Sequence, residues 1–103
     1  MAGSAREFFE GIESRVDPAK TKGQTVSYRF DIEGAGSWHV AVVDGQTTVQ
    51  ESGGGADCVI RMKEETLLKL ISRQTKPATA FMTGKIKVEG EVALALKLQQ
   101  LFF

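Results

Sequence analysis

A chain of 103 residues, 42% hydrophobic and 25% charged, is long enough to bury a core without cross-links, so one domain over residues 1–103 is expected. Thirteen basic residues balance thirteen acidic ones, which argues against a nucleic-acid partner, since that needs a basic excess on one face. The single cysteine, Cys58, excludes an internal disulfide framework and a multi-cysteine metal site.

Ser4 followed by Glu7 reads as a capping box, and Ala5, Phe8, Phe9, Ile12 and Val16 recur at helical spacing. Pro18 cannot continue that helix, which is expected to end near Arg15 or Val16. Thr25 to Ile32 alternates strictly: Val26, Tyr28, Phe30 and Ile32 share one face, and Thr25, Ser27, Arg29 and Asp31 the other, wet one. Gly34 and Gly36 turn the chain into a second strand carrying Trp38, Val40 and Val42 on one face. Asp44-Gly45 is a hairpin signal, with Thr47 to Gln50 returning. Ser52 to Gly55 reads as a flexible loop, after which Cys58, Ile60 and Met62 alternate in a fourth strand.

The period then lengthens. Glu64 to Arg73 places Leu67, Leu68, Leu70 and Ile71 at helical spacing, and Pro77 and Gly84 bracket a short helix with Phe81 and Met82. Ile86 and Val88 alternate with Lys85, Lys87 and Glu89 in a fifth strand. Gly90 breaks it, and Glu91 to Phe103 is read as a last helix on its good helix formers. Helix, four strands, two helices, strand and helix indicate an α+β fold: a mostly antiparallel sheet with helices on one face.

Little in this order looks like chemistry. His39 stands mid-strand on the face opposite Trp38, and Cys58 opens an apolar strand; neither has a recognisable partner. Gly53-Gly54-Gly55 fits neither the dinucleotide nor the P-loop spacing. Asp31, Glu33, Asp44 and Asp57 fall where carboxylates are solvated or cap turns. No enzymatic activity, cofactor or metal is therefore expected. No apolar run approaches a membrane span, the N-terminus lacks the order of a signal peptide, and Ala2 stands where myristoylation needs glycine. A soluble, intracellular protein without stable membrane insertion is the expectation.

The informative feature is an apolar surplus on helices. Phe8, Phe9, Phe81, Phe102 and Phe103 lie on expected helices, and Val92, Leu94, Leu96, Leu98 and Leu101 spread around most of the last one. Two readings stay open from pattern alone: a tightly packed core with a greasy C-terminus, or a cavity or groove for an apolar ligand.

The string Ala80-Phe81-Met82-Thr83-Gly84-Lys85-Ile86-Lys87-Val88-Glu89-Gly90-Glu91 resembles the short helix, Gly-Lys turn, edge strand and Gly-acidic helix start of the sterol carrier protein type 2 family. Leu94 to Phe102 is similar to that family's Leu/Lys-rich terminal helix. Trp38 with the valines after it, Asp44-Gly45 and Ala56-Asp57-Cys58 resemble the middle of its domain. The likeness covers nearly the whole chain. It implies a five-stranded sheet under helices, a hydrophobic tunnel between the layers, and non-enzymatic binding of fatty acids, acyl-CoA, phospholipids or sterols. Where eukaryotic members end in a Ser-Lys-Leu-like peroxisomal tripeptide, this chain ends Leu101-Phe102-Phe103, so a cytoplasmic location is expected unless a signal has been truncated.

On shared faces, the expected lining is Phe8, Phe9 and Ile12 of the first helix, Leu67 and Ile71 of the second, Phe81 and Met82 of the short helix, and Leu94, Leu98, Leu101 and Phe102 of the last. Phe30, Trp38, Val40 and Ile86 face them from the sheet. Arg15, Lys20 and Lys22, where the first helix gives way to the first strand, are the favoured candidates for a lipid head group, with Arg73 and Lys76 between the second and third helices as the alternative, because a carboxylate or phosphate at a tunnel mouth needs a partly exposed cation. The alternative is a dimerisation or docking module that uses its apolar C-terminal helix, alone or beside a lipid-metabolising enzyme. Oligomeric state is left open.

Overall fold

The computed structural model describes residues 5–15, 19, 22–91, 93, 94 and 97. Helix α1 (Ala5–Arg15) buries Ala5, Phe8, Phe9 and Ile12, a stripe at the helical period. Ser4, the expected cap, lies outside the described residues. The first backbone donor, the Ala5 N–H, reaches Glu64 Oε2 at 3.1 Å, so a carboxylate distant in sequence serves the helix start.

Strand β1 (Thr25–Glu33) alternates as its sequence does, with Val26, Tyr28, Phe30 and Ile32 buried. β2 (Gly36–Val43) pairs with it antiparallel and buries Trp38, Val40 and Val42 on the same face. Asp44 and Gly45 take φ 42° and 86°, the left-handed pair that a two-residue I′ hairpin requires, and β3 (Gln46–Gln50) returns. The tip is fastened: Asp44 Oδ1 accepts the Gly23 N–H at 2.9 Å, and the Asp44 N–H donates to Gln24 O at 2.7 Å.

From β3 the chain crosses the wet face of the sheet. Arg29 Nη1 donates to Gly53 O at 3.2 Å and Gly54 O at 3.5 Å, and His39 Nε2 lies 3.1 Å from Gly55 O. The glycine-rich stretch read as a flexible loop is thus tied down by two outward side chains of neighbouring strands. β4 (Cys58–Lys63) then joins β1 in parallel, opened by a reciprocal clasp. Asp57 Oδ2 accepts the Ser27 N–H at 3.0 Å while the Asp57 N–H donates to Ser27 Oγ at 3.1 Å.

Helix α2 (Glu64–Ile71) ends two residues earlier than the leucine spacing implied. Arg73 adopts φ 63°, its N–H returns to Leu70 O and the Gln74 N–H to Lys69 O, the paired bonds of a Schellman stop. Helix α3 (Pro77–Met82) closes the same way on Gly84 at φ 76°, with the Gly84 N–H on Phe81 O and the Lys85 N–H on Ala80 O. β5 (Ile86–Gly90) pairs antiparallel with β4. The sheet order is β3-β2-β1-β4-β5, so the sheet is mixed, its one parallel pair at β1–β4, and otherwise antiparallel. The described helices pack on the face that carries Tyr28, Phe30, Trp38 and Cys58.

Candidate functional site

The layer between sheet and helices is centred on aromatic rings. Phe9 stacks on Trp38 at 4.8 Å and 13°, lies 5.1 Å from Phe30, and meets Phe8 edge-on at 5.1 Å. Phe8, Phe9, Ile12, Phe30, Trp38, Val40 and Leu67 of the expected lining form one buried cluster; Ile71, Ile86 and Leu94 are partly buried against it. Tyr28, Cys58, Leu70 and Ala80 belong to the same cluster but were absent from the expected lining. Tyr28 was readable, because it alternates with Val26 and Phe30. Its hydroxyl donates to Leu94 O at 3.0 Å and so fastens the start of the C-terminal segment to the sheet. Burial pushes the Tyr28 phenol up to about 12, with Cys58 and Asp57 adding to the rise, so it remains a donor at neutral pH.

Cover over this layer thins from α1 toward β5. Ile86 and Val88 on β5 and Ile71 at the end of α2 are only half-buried. Phe81 and Met82, expected to line the interior, instead point outward, 48% and 84% exposed. Ala80 is the α3 residue turned onto the core, 0% exposed. The next two positions are rotated away by about 100° and 200° at 3.6 residues per turn. Lys22 is exposed; Lys20, Leu98, Leu101, Phe102 and the Arg15 side chain lie outside the described residues.

Concavities lined by described residues open at the surface in two places. A recess of about 280 Å³ lies over the Phe9–Trp38 stack and is bounded by Glu10, Val49 and the Arg6–Glu51 ion pair at 2.6 Å. A larger groove of about 890 Å³ wraps the sheet end where Asp31, Arg61, Lys63, Lys69, Lys85 and Lys87 gather, and it is mainly a charged place.

The arrangement does not assemble a reaction centre from the two reactive side chains. Cys58 pairs in register with Tyr28 on the buried face, whereas His39 pairs with Arg29 on the outer one, so the sheet separates them. Burial raises the Cys58 thiol further, with Asp57 and Glu91 contributing, which disfavours the nucleophilic thiolate. On the outer face, burial works to raise the Asp31 carboxyl, but donors from Ser37, Arg29 and Arg61 outweigh it and hold the group below the ordinary carboxylate range. Among the described residues no His, Cys, Asp and Glu group is placed to hold a metal ion, and no helix is long and apolar enough to cross a membrane.

The chain is 34% identical over 100 residues to hydroxysteroid dehydrogenase-like protein 2 of Xenopus tropicalis, covering 93% of this chain and 24% of that protein. It is 31% identical over 103 residues to the Rattus norvegicus protein of the same name, covering 96% and 20%. This chain therefore spans a quarter or less of the length of these curated relatives. Among solved structures, palmitated SCP2L2 from Aedes aegypti has the same fold, with a TM-score of 0.78 at 22% identity over 94% of this chain and 92% of that one. Matching it over residues 7–103, the chain belongs to the SCP-2 sterol transfer family.

Proposed function

We propose that the domain binds a fatty acid, fatty acyl-CoA, phospholipid or sterol between its sheet and helices and carries it unaltered. The observation that carries this reading is the graded apolar layer, closed where α1 covers Phe30 and Trp38 and half-open at Ile71, Ile86, Val88 and Leu94. An acyl chain entering there gains roughly 0.8 kcal/mol per methylene taken from water, so a dozen methylenes supply about 10 kcal/mol before ordering costs. Such binding needs no directional partner, which suits a layer made of rings and branched aliphatics. Palmitate in the Aedes relative supports the same ligand class. Leu98, Leu101 and Phe102 are proposed to complete the lining, and Arg15, Lys20 and Lys22 to meet an anionic head group.

A second reading rests on the length of the relatives, each four or more times that of the match. In such a setting the domain would hold ligand for a neighbouring catalytic unit, itself making and breaking no bond.

The test is the organic extract of purified protein, analysed by mass spectrometry, together with uptake of cis-parinaric acid followed by energy transfer from Trp38. Extracted lipid in roughly stoichiometric amount and saturable uptake are the expected results. An empty extract and no uptake of a fatty acid, acyl-CoA, phospholipid or sterol would overturn the reading.

A further inference from the structure

Charge in this chain balances overall but not locally. Residues 66–88 hold five basic residues and no acidic one. Lys69 is engaged by Glu65 at 3.2 Å; Arg73, Lys76, Lys85 and Lys87 are exposed and form no ion pair with a described residue. Lys76 immediately precedes α3 and Lys85 follows its Gly84 stop, so cations bracket the short helix that turns Phe81 and Met82 outward. Lys63, Lys69, Lys85 and Lys87 also share the groove at the sheet end. Of the carboxylates there, Asp31 is held by Arg29 and Arg61, and Glu65 by Lys69, which leaves Glu33 alone against Lys63, Lys85 and Lys87.

We infer that the α3–β5 corner is a docking surface for an anionic lipid bilayer. Two large apolar side chains flanked by exposed cations are the composition that lies in a bilayer interface: the apolar groups enter the head-group boundary while lysines and arginine meet acidic lipid. An acidic protein would match the charge but gives no reason for Met82 to stand almost fully in water. The corner adjoins the half-covered residues Ile86 and Val88, so docking sets the open side of the apolar layer against the membrane. That last consequence rests on the proposed lipid binding; the docking itself does not.

Co-sedimentation of the full chain with vesicles of phosphatidylcholine alone, and of phosphatidylcholine with phosphatidylserine, tests the inference. Preference for the phosphatidylserine vesicles, weakening as salt is raised, is expected. Lys85→Glu with Lys87→Glu should lower partitioning about tenfold or more, and Met82→Ser about threefold, with unchanged far-ultraviolet circular dichroism. The charge variant should take up cis-parinaric acid from solution as the parent does. Equal binding to both vesicles, or variants that sediment as well as the parent, would overturn the inference; failure to sediment with either would overturn it in favour of an acidic protein partner. Vesicle binding without uptake of parinaric acid by the parent would sink the carrier reading and leave the docking standing.

Discussion

Gly90 shows how one residue is dictated by its neighbours. It pairs with Cys58 at the end of β5, at φ 93°, and a Cβ there would come within 2.5 Å of Asp57 O. Asp57 cannot yield freely, because its backbone and carboxylate are both bound to Ser27. Gly90→Ala should therefore lower unfolding free energy by about 2–3 kcal/mol, combining left-handed strain with a clash against fixed backbone. Urea denaturation would show it as a lower midpoint at unchanged slope; a loss under 0.5 kcal/mol (on the order of a surface substitution) would contradict it. The break at Gly90 was legible as a stop before a helix. Its closeness to Asp57 was not, because that depends on β4 lying between β1 and β5.

Among the elements, α1 is held by apolar burial and only decorated by charge. Phe9 touches Phe8, Phe30 and Trp38, whereas the Arg6–Glu51 pair, though short, stands half in solvent. Phe9→Ala is expected to cost about 3–5 kcal/mol, and Arg6→Ala to lower stability far less, because its ion pair is screened by solvent. Thermal unfolding of both variants checks the ratio, and comparable losses would mean that the ion pair contributes far more than its exposure allows. The stripe that makes α1 amphipathic was visible in the sequence, as were both hairpins, since periodicity and turn chemistry are local. The facing of α3 was misread for a physical reason. A six-residue helix has no repeating stripe to orient it, and the side turned onto the core carries Ala80 rather than Phe81 or Met82. The parallel β1–β4 pair was equally hidden: nothing in either strand's alternation says which neighbour lies beyond a crossing loop.

For the whole molecule, ligand binding and stability are linked. If the proposed lipid binds only the folded chain, palmitate at about one hundred times its dissociation constant adds roughly 2.7 kcal/mol. That is on the order of a 10 °C rise in midpoint for a domain of this size. Differential scanning calorimetry of delipidated protein with and without palmitate reads this directly; an unmoved midpoint would remove palmitate from the candidate ligands. The family-level likeness was legible because its strings recur in order from Trp38 to the terminal leucines. The half-burial of Ile71, Ile86 and Leu94 was not legible, since it is a property of how layers meet rather than of any one segment.

The clasp between Ser27 and Asp57 also sorts the chain in time. β1, β2 and β3 are joined by two tight turns and can zip up from local contacts, but β4 must close a loop of about thirty residues before its parallel ladder gains anything. Until then the apolar side of the meander is open along the β1 edge. The step expected to be slowest is the one that completes the floor of the apolar layer, so the folding chain is expected to expose that surface until β4 docks.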